Sequence, residues 1–300
     1  MGQAHAAAVH GSGSRVAGVV DTDASRACAL AERFGGQAFA SVGQALDRLP
    51  GVDAAVIASP SHAHLAQSVE LARAGIPALV EKPHRLPGQD PGPLRELLRA
   101  SRTRYQVGMS TRYLPGMAAV AAAVGEGRLG QIAFCSDCIW FQLRPGALSP
   151  WYFSRRDSGG GVLLTNGVHA LDRAAWLLGG SLRLRDAALD ASSADACETT
   201  AELRLAGPAG ALVTVSLLWS PFPVPPGRLV LVGEEGSATL HADGSYLIAA
   251  GSRTTHGEPA GPQTALARQW QAFCSGQPGP GLEDLEPTLA LIESVYAAAG

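Results

Sequence analysis

The 300-residue sequence contains one lysine, Lys82, among 23 basic residues, and one asparagine, Asn166. Alanine, glycine, arginine and proline are abundant, the mark of a coding bias that drains Lys and Asn wherever the position tolerates it. A surface cation tolerates the change to arginine. A position that needs a compact, titratable ammonium does not, because a guanidinium stays charged and presents a planar fork. Lys82 is therefore a candidate for chemistry on composition alone. It sits in Glu81-Lys82-Pro83, directly after the apolar run 78–80. An ammonium at the C-terminal end of a parallel strand, where open α/β sheets place ligands, can polarise a substrate oxygen or help deprotonate a hydroxyl. The alternative is an ordinary solvated loop lysine.

A second constellation runs Gly159-Gly160-Gly161-Val162-Leu163-Leu164-Thr165-Asn166-Gly167-Val168-His169, with Asp172 following. A histidine near a helix start, beside the only asparagine, suits a general acid/base, although many such histidines are surface or capping residues. Asp21 ends an apolar stretch and lies 19 residues after Gly2. A carboxylate at that spacing accepts hydrogen bonds from the adenosine ribose and repels a 2′-phosphate, which favours NAD over NADP. Gly2 itself would be the third glycine of a G-x-G-x-x-G loop. The strand and first two glycines that normally precede it are absent, so the expectation is either a start further upstream or a damaged dinucleotide site. Cys135-Ser136-Asp137-Cys138 is a C-x-x-C, but no second pair follows. Residues three apart on a strand point to opposite faces, so no metal site is expected.

The elements that must position these residues follow from periodicity. Helical patterns at 4–10, 24–34, 41–49, 62–74 and 91–101 alternate with apolar strand patterns at 15–20, 52–58, 78–80 and 105–108. Such alternation predicts a Rossmann-like, doubly wound parallel sheet, here without its N-terminal strand. Beyond residue 110 the rhythm changes. A helix is expected over 117–124, a long strand over 132–143, and a helix over 168–178. Strands are expected near 182–190, 199–205, 211–219, 228–232 and 237–241, and two helices at 264–274 and 283–298, with 251–262 read as a polar loop. The expected organisation is a dinucleotide-binding domain over 1–110 and an α+β domain with a large, mainly antiparallel sheet over 111–300.

Composition narrows the partners. Lys plus Arg is 23 and Asp plus Glu is 26, a net charge of -3, so neither nucleic acid nor an anionic membrane is the expected partner. The apolar fraction of 46% supplies a core. No apolar run approaches the roughly 20 residues of a membrane span, and no secretory leader is visible. Five cysteines, an odd number in a long chain, suit free thiols in a reducing cytoplasm.

Together these pieces resemble the Gfo/Idh/MocA family of NAD(P)-dependent sugar and polyol oxidoreductases, over nearly the whole chain. Ser59-Pro60-Ser61-His62-Ala63-His64 looks like the family's T-P-x-x-x-H segment. Glu81-Lys82-Pro83 matches its E-K-P and Gln106-Val107-Gly108 its Q-V-G. The glycine triplet with Gly167-Val168-His169-Ala170-Leu171-Asp172 matches its G-G-G…G-V-H-x-L-D block, and 291–296 looks like its terminal helix. The resemblance implies that Lys82 and His169 form the catalytic pair, and that Gly2, Asp21, Ser59, Pro60, His64 and Glu81 line NAD. It places Arg112, Trp151, Thr165, Asn166 and Asp172 near a sugar, inositol or related substrate. The family often carries Asp where Thr165 stands, so a carboxylate relay through that position is not expected. A homodimer or homotetramer is implied, formed through the open face of the second-domain sheet. Two other functions remain compatible: a non-catalytic, nucleotide-binding paralogue, and an NAD-dependent glycosidase-like enzyme.

Asp21 generates a direct test. The protein should bind NAD more tightly than NADP, and Asp21→Ser combined with Thr22→Arg should move the preference towards NADP. Fluorescence titration with both reduced nucleotides measures this, and tighter NADP binding by the unaltered chain refutes the role of Asp21.

Overall fold

The computed structural model describes residues 1–144, 146–190 and 197–299. It forms two compact units, Met1–Ser110 with Leu266–Glu283, and Thr111–Ala265 with Asp284–Gly300. Sequence rhythm marks a change near residue 110, but it does not reveal the return of Leu266–Glu283 to the first unit. The reason is an open strand edge that this segment covers. Val107 N–H donates to Pro280 O at 2.7 Å, and the Gln106 amide donates to Gln277 O at 2.9 Å.

The first unit runs α1 (Gly2–Gly11), β1 (Gly18–Val20), α2 (Ala24–Phe34), β2 (Gln37–Phe39), α3 (Val42–Arg48), β3 (Ala55–Ile57), α4 (His64–Arg73), β4 (Ala78–Val80), α5 (Gly92–Ser101) and β5 (Tyr105–Val107). Its helix boundaries are set locally. The Asp23 carboxylate accepts from Ser25 N at 2.9 Å and so caps α2, which ends at Gly35 in the left-handed conformation, φ 73°. Ser41 caps α3 through Gln44 N. Strand β2 has no sequence signal, because three residues with one apolar inward side chain, Phe39, show no period. The core gathers Val9, Leu79, Trp270 and Phe273, with Val16, Ala54 and Val56 packed on it.

All pairing in this unit is parallel, but the sheet is divided. Strands β1 and β2 form one sheet, and β3, β4 and β5 form another. The expected doubly wound sheet without its first strand is thus seen as two parts. Ala17 O and Asp21 N bond towards β2, so by alternation the backbone groups of Gly18 and Val20 point away from it. Ala55 N and Ile57 O bond towards β4, so those of Val56 point away from β4. Both sheets therefore carry an edge that no strand of the described residues pairs.

The second unit contains α6 (Pro115–Gly125), β6 (Ile132–Gln142), the short α7 (Arg155–Ser158), a π-helical turn Leu163–Gly167 running into α8 (Val168–Leu178), and β7 (Arg183–Leu189), β8 (Thr200–Ala206), β9 (Leu212–Ser220), β10 (Arg228–Gly233), β11 (Gly236–His241), β12 (Tyr246–Ala250) and β13 (Arg253–Gly257). Helices α9 (Pro262–Cys274) and α10 (Leu282–Ala299) follow, and the boundary between the units runs through both. The eight strands form one sheet in the order β13-β12-β11-β10-β6-β9-β8-β7, antiparallel except for the parallel pair β6·β9. Strand β13 corrects the expectation of a polar loop at 251–262. Its first four residues are exposed, so an edge strand without a buried face shows no apolar alternation.

One sheet face is buried through Cys135, Leu203, Leu205, Val213, Val215, Leu217, Leu229 and Leu231. Arg173 of α8 reaches this core and forks onto Asp137 of β6 at 2.9 and 2.7 Å, so each buried charge has its counter-ion. Cys135 is fully buried and Cys138 half-buried, and alternation along β6 puts them on opposite faces. Burial pushes the Cys135 thiol up to about 12. No helix among the described residues is long and apolar enough to cross a membrane.

The divided sheet predicts a hydrogen-exchange pattern. The amides of Gly18, Val20 and Val56, directed at open edges, should exchange about 100-fold or more faster than that of Leu79, which lies inside the β3·β4·β5 ladder. Equal protection of Val56 and Leu79 would show that the edge is closed.

Candidate active site

In the first unit the residues expected to act collect beyond the carboxyl ends of β3 and β4. Glu81 follows β4 and is buried. Its Oε1 meets His5 Nε2 at 2.6 Å, and its Oε2 accepts from the Lys82 amide at 3.3 Å. Burial alone would push this carboxyl up. The His5 hydrogen bond and the charges of His5, Lys82 and His64 outweigh it and hold Glu81 below the ordinary carboxylate value. Lys82 is half-buried, and burial lowers its ammonium pKa against the opposing pull of Glu81. The Lys82–Pro83 peptide bond is cis. Gly108 of the Q-V-G segment explains itself here: a Cβ would stand 3.1 Å from Val80 O and 3.2 Å from Glu81 Oε1.

His64 ties the two loops together. Its Nδ1 meets Pro83 O at 2.7 Å and its Nε2 meets Ser59 O at 2.8 Å, so both ring nitrogens face backbone carbonyls. The Ser59 hydroxyl is taken by Gln67 at 2.7 Å. Burial lowers the imidazole pKa, so at neutral pH the ring carries one proton for the two carbonyls. Asp21 lies apart from this group, just after β1, with Oδ1 accepting from Asp23 N at 2.9 Å. Gly2 opens α1, and nothing lies within 4 Å of the place its Cβ would occupy.

In the second unit the glycine triplet is dictated by close approach. A Cβ on Gly160 would strike the Tyr296 hydroxyl, and one on Gly161 would strike Glu198 O. Glu198 is itself buried. Its carboxylate accepts from Gly161 N and Leu163 N, each at 3.0 Å, and from Tyr296 OH at 2.8 Å. Burial and the Glu198 charge push the Tyr296 phenol well up, so it remains a donor. The anchored segment then passes through the π turn into α8. Thr165, Asn166 and His169 are half-exposed along it, while Leu163, Leu164, Gly167, Val168, Ala170 and Leu171 are buried. Widened turns of this kind favour functional positions because they re-aim side chains.

Arg112 and Asp172 are brought together. Arg112 Nε donates to Asp172 Oδ2 at 2.8 Å and Nη2 donates to Oδ1, while the guanidinium covers the Trp176 ring at 4.9 Å. Burial raises the Asp172 carboxyl, and the Arg112 fork opposes that rise. Asn166 accepts from the Trp219 indole at 2.7 Å. Trp151 stacks on Tyr152 at 3.8 Å, and Phe153 meets Trp219 edge-on. Sequence reasoning missed His5, Glu198 and Trp219. His5 had a signal, lying three residues into the helix that Gly2 opens. Glu198 and Trp219 had none, because their partners are 35 or more residues away.

A parallel α/β unit with an acidic residue closing one strand and Glu-Lys-Pro closing another, joined in one chain to a large antiparallel sheet, defines a dinucleotide-dependent oxidoreductase architecture. Units of this kind place a dinucleotide beyond the carboxyl ends of their strands, where Asp21 and the Ser59 and Glu81-Lys82-Pro83 loops lie. Residues 1–109 match the oxidoreductase family with an NAD-binding Rossmann fold, and residues 117–239 match the GFO/IDH/MocA C-terminal domain. The chain belongs to the Gfo/Idh/MocA oxidoreductase family. It is 32% identical over 187 residues to an inositol 2-dehydrogenase of Rubrobacter xylanophilus, covering 59% of this chain and 49% of that protein. It is 28% identical to a D-apiose dehydrogenase of Paraburkholderia graminis, covering 96% and 81%. The chain spans about half the length of several curated relatives it matches. A levoglucosan dehydrogenase solved with NADH and levoglucosan shares the fold, with a TM-score of 0.85 at 19% identity over 100% of this chain and 94% of that one.

The His5–Glu81 pair yields a prediction with a sign. A carboxyl held below its unfolded value stabilises the fold above that value, and the contribution is lost as pH falls through the folded pKa. His5→Leu removes the bond and leaves burial to push Glu81 up against Lys82 and His64 alone. The folded variant then gains from protonation and weakens as pH rises. The stability difference between wild type and His5→Leu should therefore grow from pH 4 to 7 and reach about 3 kcal/mol, the scale of a broken buried pair. Urea unfolding at several pH values measures it, and a pH-independent difference refutes the pairing.

Proposed function

We propose that the protein is an NAD-dependent oxidoreductase that moves a hydride between nicotinamide and a carbon bearing a secondary alcohol or ketone. The substrate is a sugar, an inositol or a related small molecule. The observation that carries this reading is Lys82, the chain's only lysine, held at the carboxyl end of β4 beside the buried Glu81–His5 pair. Bound NAD supplies the hydride acceptor. His169 takes the hydroxyl proton during oxidation, and the Lys82 ammonium stabilises the developing alkoxide. Asp21 binds the adenosine ribose, and Gly2 leaves room at the start of α1 for the pyrophosphate. Ser59 and Pro60 line the dinucleotide. Glu81 and His64 shape its loops, and His64 acts by joining them, since both its nitrogens are already engaged. Arg112, Trp151, Thr165 and Asn166 face substrate, and Asp172 acts through Arg112. The relatives named for inositol, apiose and levoglucosan support a cyclic polyol or sugar.

The chain associates with copies of itself, as a homodimer or homotetramer, through the outward face of the eight-stranded sheet. Leu212, Phe134 and Val232 stand side by side across β9, β6 and β10 on that face, and Leu212 and Val232 are exposed. A contiguous apolar row of this kind supports an interface on that face. All five cysteines are unpaired, which supports a cytoplasmic location.

Lys82→Arg keeps the charge but cannot place one donor where the ammonium stood, and should lower kcat by about 10²- to 10³-fold. His169→Ala should lower kcat as well, with partial recovery at high pH as hydroxide replaces the base. NAD affinity should change much less in both. A sugar and polyol screen followed by NADH absorbance provides the assay. Retention of kcat within about threefold in Lys82→Arg, far below the loss of such a donor, refutes the role.

A further inference from the structure

Trp219 is the penultimate residue of β9 and is buried. Its indole Nε1–H donates to Asn166 Oδ1 at 2.7 Å. An indole nitrogen only donates, so the Asn166 atom facing it is the oxygen, and chemistry fixes which way the amide points. One contact holds the indole ring and another holds the Trp219 backbone. Phe153 meets it edge-on with ring centres 6.1 Å apart, and the Trp219 backbone N–H donates to Thr199 O at 2.8 Å. The amide therefore turns Nδ2 and its two hydrogens away from Trp219. No acceptor among the described residues takes them. Asn166 lies half-exposed on the same stretch as Thr165 and His169, where the π turn separates it from the buried side chains.

We propose that Trp219 is a specificity-determining, positioning residue that locks Asn166 as a pure hydrogen-bond donor to substrate. The Asn166 amide receives a substrate oxygen, hydroxyl or carbonyl, other than the one His169 deprotonates. It welcomes an oxygen there and rejects an ammonium group, which has no lone pair to offer. The inference rests on the oxidoreductase reading above and names the polar group by which that site selects its substrate. Because this contact lies away from the reacting atoms, it contributes to binding in the ground and transition states alike.

The single asparagine makes the test unusually clean, since [15N]asparagine labelling gives one side-chain amide signal. The NMR probes are myo-inositol, levoglucosan and glycerol, each added with NAD, and the same compounds are assayed for NADH formation. At least one should shift the Asn166 amide in the wild type. Trp219→Phe keeps an aromatic ring and removes the N–H. It should move the amide signal and raise KM for that polyol about tenfold, the scale of one neutral hydrogen bond, with kcat within about twofold. If Trp219→Phe does not fold, Asn166→Asp serves instead. It keeps the Trp219 bond and the side-chain volume but replaces the donor with an anionic oxygen, and should raise KM more than tenfold. Turnover with an unmoved Asn166 signal, or with an unchanged KM in the variants, overturns the inference and leaves the oxidoreductase reading standing. A polyol-induced shift without turnover supports the donor role and overturns the reading. Neither shift nor turnover overturns both.

Discussion

The Glu81 carboxylate, buried beside the only lysine, has to be neutralised or hydrogen-bonded, and much of the first unit is arranged to do so. An unpaired carboxylate at that depth would take up a proton and cease to act on its neighbour. His5 prevents this from the second turn of α1, which fixes the start of that helix against the loop after β4. Gly108 must lack a side chain so that β5 can run close behind the same carboxylate. His64 then joins the loop after β3 to the loop after β4 through two carbonyls. The backbone around Lys82 is thus set by the contacts of Glu81, Pro83 and Gly108.

The second unit solves a similar problem with a different carboxylate. Glu198 is buried where the glycine triplet turns towards α8, and it is satisfied by two backbone amides and a phenol. Anions are favoured at such a helical start because the first N–H groups have no partner within the helix. The bonds set where the π turn begins, and so which of the next residues face outward. Gly160 and Gly161 follow from this, since Tyr296 and Glu198 occupy the space their side chains would need. In both units a sequence motif that looks like a binding signature is partly a packing requirement around a buried acid.

What the sequence discloses is what local pattern can encode. Helix α2 with its Gly35 stop, the continuous apolar strand β4, and the alternating strands β8 and β9 are legible because each meets a core on at least one face. Strand β13 is invisible because neither face does. Arg112 and Asp172 are recognisable as polar residues near a motif, but their mutual fork joins positions 60 residues apart and leaves no trace in spacing. Glu198 and Trp219 act through such distant partners, so only the folded chain reveals them. The return of Leu266–Glu283 to the first unit is hidden for the same reason: an open edge at β5 recruits it, and an edge has no sequence of its own.

The division of the parallel sheet also bears on how a dinucleotide would be held. Asp21 belongs to the β1·β2 pair, and Lys82 follows a strand of the β3·β4·β5 group. Among the described residues no ladder of backbone hydrogen bonds couples the two, so their spacing rests on helix packing and connecting loops. Within the one compact unit that holds both, a ligand reaching from Asp21 to Lys82 spans two sheets rather than one. Its affinity would then depend on the packing between the sheets as well as on the groups it touches. The cofactor would serve this unit as a structural member, bridging two sheets that no strand among the described residues joins.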